Sequence, residues 1–132
     1  MKIREDVKQE LLKAQESEME TVVIYKYLAE RAKDPEMKNA FLKMASDEGK
    51  HAGILRKYSG KTVTRKEKPA LRFRIMARIF GLKMVIRMML TSEQKNAEAY
   101  APVAKANPIM RDILNDERRH CKILQQMLEK KK

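Results

Sequence analysis

The sequence has one cysteine, Cys121, and no tryptophan in 132 residues. A single cysteine excludes an internal disulfide and also an iron or zinc ion held by paired cysteines. No window of about 18 residues is both apolar and uncharged, so we expect no membrane-spanning helix. The first six residues lack the apolar stretch of a secretory signal peptide. These absences favour a protein of the reducing cytoplasm.

Glycine and proline are also scarce, with four of each. Long segments are therefore free of helix breakers, and they are rich in leucine, methionine, alanine, glutamate and lysine, which favour helices. Because 43% of the residues are hydrophobic and 36% are charged, we expect neither a membrane protein nor a disordered chain. The length suits one domain, so we predict a single all-α domain over residues 1–132.

Positive charge exceeds negative charge by 12, and the excess is local. Residues 49–92 contain 12 basic side chains and one acidic side chain, Glu67, so this stretch carries +11 of the net +12. Such a basic segment favours an anionic partner, either a membrane surface or a nucleic acid. Nucleic acid is the weaker prediction, because no reader motif is present and only 5% of the residues are aromatic.

Apolar residues recur with the period of an α-helix over most of the sequence. The pattern predicts four long helices, over residues 7–33, 35–58, 82–106 and 108–128, and a short amphipathic helix over residues 70–80. Asp34-Pro35 and Asn107-Pro108 each supply an N-cap and a first-turn proline to the helix that follows. Residues 61–69 are polar and basic and are predicted to form a loop.

The lengths of the connections predict how the helices are arranged. Short turns join the first helix to the second and the third long helix to the fourth, so each pair forms an antiparallel hairpin. A long basic crossover, residues 59–81, separates the two hairpins. A four-helix bundle with one long crossover is the ferritin-like arrangement. A helical repeat or a simple up-down bundle would leave the long middle connection unexplained.

The two hairpins repeat the same set of reactive residue types. Each has a Glu, a Tyr seven residues later, and Asp-Glu-x-x-His on its second helix. In the first hairpin these residues are Glu18, Tyr25, Asp47, Glu48 and His51. In the second they are Glu93, Tyr100, Asp116, Glu117 and His120. Residues three or seven apart share a helix face, so four carboxylates and two imidazoles converge on one point inside the bundle.

A bound metal pair explains this convergence better than an empty core does. Each buried carboxylate without a partner costs several kcal/mol, whereas two divalent cations balance four negative charges. One Glu-x-x-His is usually a solvated pair on a helix surface. Here, both histidines of the chain lie in the pattern, and each has an upstream Glu. The oxygen and nitrogen donors suit Fe, Mn or Zn and do not choose among them. The predicted ligands are Glu18, Glu48, His51, Glu93, Glu117 and His120.

The tyrosines and aspartates of the repeat have two interpretations each. Tyr25 and Tyr100 are either core residues or donors of hydrogen bonds to the ligand carboxylates. Asp47 and Asp116 are either solvated caps or partners of a ligand histidine that fix its tautomer. Cys121 is not needed as a ligand.

Residues 18–52 resemble rubrerythrin-type ferritin-like proteins, through the pattern Glu-x6-Tyr-x2-Leu-Ala followed by Glu-x-x-His-Ala. Residues 69–104 and 115–124 are most similar to the ferritin-like domain that precedes membrane domains of the vacuolar-iron-transporter type. The resemblance implies that the six ligands bind two irons, with Glu48 and Glu117 bridging them. Rubrerythrins have a further Glu beside the one on their third helix, where this chain offers Asn96. They also carry a rubredoxin domain, whose cysteines these 132 residues lack.

The resemblance implies an oxidoreductase of the ferroxidase or peroxidase type, in which Fe(II) reacts with O2 or peroxide. Tyr25 and Tyr100 would supply a hydrogen bond or an electron beside the metal. The alternative is an iron-binding sensor or chaperone without turnover, which docks to a membrane iron transporter or to the bilayer through residues 61–87. The segment 82–90 is apolar nearly all round, which predicts a homodimer through that helix.

Overall fold

A computed structural model describes residues 5–60 and 67–129 of the chain. It contains five helices, which we number α1 to α5 in chain order. They are α1 (Glu5–Arg31), α2 (Pro35–Ser59), α3 (Glu67–Phe80), α4 (Leu82–Ala104) and α5 (Pro108–Glu129). The described residues include no β-strand. The prediction of an all-α, ferritin-like bundle is therefore confirmed.

Capping side chains fix both short turns, as predicted. The Asp34 carboxylate accepts a hydrogen bond of 3.0 Å from the backbone N–H of Glu36, at the start of α2. The side-chain amide oxygen of Asn107 (Oδ1) accepts a hydrogen bond of 3.0 Å from the backbone N–H of Ile109, at the start of α5. Each bond satisfies a donor that a helix N-terminus leaves free. The turn of each hairpin is therefore stabilised by the same kind of N-cap.

Helix α3 begins earlier than the sequence pattern predicts, at Glu67 and not at residue 70. Residues 67–69 of the predicted loop are therefore helical, which corrects that prediction. Pro69 is compatible with the helix because it lies in the first turn, where its missing N–H has no helical acceptor. Residues 61–66 of the predicted loop lie outside the described residues. The other helix ends differ from their predicted positions by two residues at most.

The four long helices pack as two antiparallel hairpins. Helix α1 lies against α2, α4 lies against α5, and the hairpins meet through α1 with α4 and α2 with α5. The core has two separate apolar clusters, one toward each end of the bundle. One cluster includes Leu28, Phe41, Met89 and Leu124, and the other includes Leu11, Leu55, Val103 and Ile113. Because α2 ends in one cluster and α4 begins in the other, the two ends of the crossover lie toward opposite ends of the bundle.

Helix α3 belongs to this crossover and covers part of the bundle. Phe73 and Ala77 are buried in the cluster that also contains Val85 and Ile86 of α4. Part of the apolar surface of α4 therefore packs within one chain, and the homodimer through this helix stays a prediction. In the described ranges, none of the helices combines the length and the apolar character needed to cross a bilayer.

Candidate metal centre

A layer of polar side chains lies between the two apolar clusters. All six residues that the sequence predicts as ligands are in this layer, and none is more than 2% exposed. They come from all four long helices, with one Glu each on α1 and α4 and a Glu-x-x-His pair each on α2 and α5. The fold therefore brings the whole predicted set together in the bundle interior.

The six side chains form two overlapping groups of four. One group is Glu18, Glu48, His51 and Glu117, and the other is Glu48, Glu93, Glu117 and His120. Within each group, one oxygen or nitrogen atom from every residue lies within 4.8 Å of the others. Glu48 and Glu117 belong to both groups, and each group has one imidazole of its own. This is the arrangement of two adjacent cation sites with two shared carboxylates.

Each histidine approaches the glutamate of the opposite hairpin. His51 Nδ1 lies 2.8 Å from Glu117 Oε1, and His120 Nδ1 lies 2.9 Å from Glu48 Oε1. These contacts are short, but the nitrogen atoms lack the geometry of a hydrogen bond to a partner among the described residues. Both Nδ1 atoms therefore lie close enough to the carboxylates for one cation to contact the nitrogen and the oxygen together.

The donor atoms of this layer fit a pair of divalent cations. Each of the six residues has at least one buried oxygen or nitrogen atom that makes no hydrogen bond within the described part of the chain. Buried polar atoms are almost always paired, so this many in one place need an explanation. Two divalent cations would satisfy these atoms and neutralise four carboxylates. Glutamate oxygen and imidazole nitrogen are common ligands of such ions.

The second nitrogen of each imidazole is held by an aspartate from the opposite hairpin. His51 Nε2 donates to Asp116 at 2.9 Å, and His120 Nε2 donates to Asp47 at 2.9 Å. This bond keeps a proton on Nε2, so Nδ1, which faces the carboxylates, is the atom that can ligate a metal ion once it is deprotonated. Of the two interpretations of these aspartates, the histidine partner is the one that the structure has. The pairing joins the two halves of the repeat.

The tyrosines of the repeat also donate hydrogen bonds to residues of the opposite hairpin. The Tyr25 hydroxyl donates to Glu93 Oε1 at 2.8 Å, and the Tyr100 hydroxyl donates to Glu18 Oε1 at 2.6 Å. Burial raises the pKa of both hydroxyls well above the ordinary value, and the neighbouring carboxylates raise it further. Both tyrosines therefore stay protonated and act as donors to the carboxylates.

Burial and like charge keep the shared carboxylates from ionising easily. Burial raises the pKa of Glu48 and of Glu117 well above the usual range, and the charge of Glu18 raises both further. Burial also raises the pKa of Glu93, but the neighbouring polar groups of Glu117 and His120 bring it below its ordinary value. Without metal ions, the shared carboxylates Glu48 and Glu117 therefore tend to bind protons, which lower the negative charge of the layer.

The histidines respond to the same surplus of negative charge. Burial by itself lowers the pKa of His51, but Glu18 and Asp116 raise it above the ordinary value. Glu93 and Asp47 do the same for the pKa of His120. The metal-free layer therefore favours protonated imidazoles. Metal ions must displace a proton from each imidazole when they bind.

Comparison with known families agrees with this geometry. The family model described as rubrerythrin matches residues 10–128, which is most of the chain. The chain belongs to the rubrerythrin family. No curated protein and no solved structure matches it significantly. The further likeness of its second half to transporter-associated domains stays a prediction. Membership of the rubrerythrin family, together with the two overlapping groups of four, supports a dinuclear metal site in this chain.

Two residues around the candidate metal centre were not identified from the sequence. Lys43 Nζ lies 2.7 Å from Asp47, and Arg119 lies 2.9 Å from Asp116 and 3.4 Å from Asp47. The four-residue spacing of Lys43 and Asp47 is a signal that could have found the first pair. The three-residue spacing of Asp116 and Arg119 is a signal of the same kind. The contact of Arg119 with Asp47 has no such signal, because these residues come from different hairpins.

Asn96 of α4 also lies in the bundle interior. It is 5% exposed, and its Nδ2 atom has no hydrogen-bond partner among the described residues. It is three residues after Glu93 on α4 and so shares a face with that carboxylate.

Burial raises the pKa of the Cys121 thiol to about 11, and Cys121 is in neither group of candidate ligands.

Proposed function

We propose that this chain binds two iron ions and uses them to oxidise Fe(II) with O2 or to reduce peroxide. The six buried residues of the two overlapping groups would hold the ions, and Glu48 and Glu117 would serve both of them. The observation that carries the proposal is the sharing of these two carboxylates between the groups. A single-ion site would need neither the sharing nor the second imidazole.

The protein's own groups have distinct roles in this proposal. An iron pair, when bound, supplies two one-electron steps between Fe(II) and Fe(III). Asp47 and Asp116 hold the Nε2 proton of each histidine, so that Nδ1 is free to ligate. Tyr25 and Tyr100 orient Glu93 and Glu18 through their hydroxyls. The apolar clusters on either side of the layer keep bulk water away from it.

The alternative is a module that binds iron without turnover, as a sensor or chaperone would. The same geometry of the six side chains supports binding in both cases. Only the reaction with an oxidant separates the two functions. The proposal therefore needs one experiment on binding and a second on rate.

The binding experiment measures metal content by elemental analysis after anaerobic loading with Fe(II). We expect about two ions per chain, and well under one in the Glu48→Gln/Glu117→Gln variant. Glu16→Gln is the matched control, because Glu16 is exposed on α1 two residues from Glu18. A content far below two that is the same in all three proteins would contradict the proposal.

The rate experiment adds O2 or peroxide to the loaded protein and follows formation of Fe(III) by absorbance. We expect oxidation faster than that of free Fe(II), and loss of this acceleration in Glu48→Gln/Glu117→Gln. Stoichiometric binding with no acceleration by either oxidant would reject the enzymatic function and leave the binding module.

A further inference from the structure

Helix α3 presents a stripe of aliphatic side chains to the outside of the bundle. Leu71, Ile75 and Ile79 are 57%, 49% and 66% exposed. Their four-residue spacing puts them on one face of the helix, which we name the α3 stripe. Phe73 and Ala77, on the other side of the helix, are buried against the bundle. The three side chains of the α3 stripe belong to neither apolar cluster of the core.

Arginines flank the α3 stripe. Arg72 and Arg78 are exposed, and the helical repeat places them on its opposite sides. Neither arginine has an acidic partner within the described part of the chain. Arg74 lies further round the helix, with its guanidinium 5.2 Å from the ring centre of Tyr27. The surface is thus apolar in the middle and positive at both edges.

The shape and charge of this surface suit an anionic lipid bilayer. The α3 stripe lies on a single helix that covers α1 and α4 from outside, so it forms a ridge and not a groove. A ridge can enter a soft, flat surface, whereas a partner peptide usually needs a groove. Interfacial helices place apolar side chains at the headgroup boundary and basic side chains beside acidic headgroups.

Other partners match less of the surface. A second copy of the chain would bring Arg72 and Arg78 toward identical positive charges. Three aliphatic side chains also fall far short of the roughly 800 Å² per partner that a stable protein interface buries. Nucleic acid would use the arginines, but it has no use for an aliphatic stripe between them.

We propose that the outward face of α3 docks this bundle on an anionic membrane surface, with the helix parallel to the bilayer, the α3 stripe at the headgroup boundary, and Arg72 and Arg78 beside acidic headgroups. The docking does not depend on the metal centre, because its residues lie on the outer face of the crossover. It goes beyond the proposed function by giving the bundle a location where it would act.

The experiment is co-sedimentation of the full chain with phosphatidylcholine vesicles, with and without about 30 mol% phosphatidylglycerol. We expect binding to the anionic vesicles and weak binding to the neutral ones. The Arg72→Gln/Arg78→Gln variant should bind about 25-fold more weakly, since each charge near the surface contributes about fivefold. Ile75→Asp/Ile79→Asp should lose binding altogether.

Matched variants elsewhere on the surface control for charge and exposed apolar area. Leu42→Asp/Ile109→Asp changes two side chains that are 44% and 50% exposed on α2 and α5. Lys38→Gln/Arg118→Gln removes two exposed charges from the same helices. Both controls should bind anionic vesicles almost as well as the unchanged chain, and circular dichroism verifies that every variant keeps its helices.

Three outcomes would overturn the proposal. The first is no binding to anionic vesicles at low salt. The second is equal loss of binding in the α3 variants and in their matched controls. The third is that the chain does not bind vesicles but binds an acidic amphipathic peptide, or that it forms a dimer and the Ile75→Asp/Ile79→Asp variant is monomeric. In that case, a protein covers the α3 stripe.

Discussion

The Tyr100 hydroxyl on α4 lies 2.6 Å from Oε1 of Glu18 on α1. The mirror relationship joins Tyr25 on α1 to Glu93 on α4 at 2.8 Å. Each tyrosine therefore orients the candidate ligand of the other hairpin, and not the glutamate seven residues before it on its own helix. The metal centre and the contact between the hairpins are built from the same side chains.

Tyr100→Phe should weaken metal binding without abolishing it. The variant keeps the ring in the core but leaves Glu18 Oε1 buried without its donor, which costs about 1–3 kcal/mol of stability in the metal-free chain. Loss of such an orienting partner should lower the affinity for a divalent ion about 10-fold. Competition with a coloured chelator measures the affinity, and urea unfolding measures the stability.

Tyr27→Phe is the control for this prediction. Tyr27 is on α1 and, like Tyr100, is largely buried, but its ring lies under Arg74 in an apolar cluster outside the polar layer. We expect its affinity to match that of the unchanged chain. Equal affinities in all three proteins would mean that the hydroxyl of Tyr100 does not orient Glu18.

Asp47→Asn should weaken metal binding more than Asp116→Asn does. Asp47 is 5% exposed and is contacted by His120, Lys43 and Arg119. Asp116 is more exposed and is contacted by His51 and Arg119. An amide in place of Asp47 allows His120 to rotate or change tautomer, and the expected loss of affinity is about 10-fold to 100-fold.

Isothermal titration with Mn(II) measures both aspartate variants against Asp112→Asn, an exposed aspartate also on α5. The control should have the affinity of the unchanged chain. The interpretation fails if Asp47→Asn binds as tightly as the control, because the carboxylate would then not be needed to hold the imidazole.

Residue spacing alone was enough to predict which six side chains meet in the bundle interior, because the same spacing occurs twice. Glu48 and His51 are three residues apart, as are Glu117 and His120, so the two side chains of each pair lie on the same helix face. In both pairs, that face points into the bundle interior. The turns were also predictable, since Asp34 is followed by proline and caps the next helix through local hydrogen bonds. These features depend on neighbours in the sequence.

The crossed contacts could not be predicted in the same way. Asp47 is four residues before His51 on one helix, yet it pairs with His120 of the other hairpin. The choice depends on how α2 meets α5, which is a matter of packing and not of helical period. The start of α3 differs from the prediction for a local reason. Residues 67–69 belong to the polar, basic segment that predicts a loop, although Pro69 fits a first helical turn.

Asn107→Ala should destabilise the fold more than Asp34→Ala does. Both residues cap a helix, and loss of either cap costs about 1 kcal/mol. Asn107 also donates a hydrogen bond of 2.8 Å from Nδ2 to the Tyr58 hydroxyl on α2, which joins the two hairpins. We therefore expect about 2 kcal/mol for Asn107→Ala. Urea unfolding measures both, and an equal or smaller loss for Asn107→Ala would show that the bond to Tyr58 adds no stability.

The metal-free chain should lose stability as the pH rises from 5 to 8. Folding raises the pKa of Glu48 and Glu117 above the ordinary 4.5, and that of His51 and His120 above the ordinary 6.5. The folded chain therefore binds more protons than the unfolded chain, so the stability from these groups is complete below their ordinary pKa values. It is lost as the pH rises through the raised values. Thermal unfolding in a chelator measures the change.

Metal ions should reverse this dependence. Ligation needs deprotonated carboxylates and neutral imidazoles, so the rise in Tm caused by Mn(II) should grow from pH 5 to pH 8. At a metal concentration 100-fold above the dissociation constant, the stabilisation is about 2.7 kcal/mol. The lowered pKa values of Asp47 and Glu93 stabilise the fold above their ordinary values and lose this effect only on acidification, outside this range.

The composition of the chain makes the pH experiment specific. His51 and His120 are its only histidines, and no other side-chain type ordinarily titrates near pH 6.5. Glu48→Gln/Glu117→Gln replaces the two shared carboxylates with neutral amides of the same shape. This variant should be more stable than the unchanged metal-free chain at pH 8, with a shallower pH dependence and no response to Mn(II). A metal-free chain that gained stability from pH 5 to pH 8 would contradict the raised pKa values on which the prediction depends.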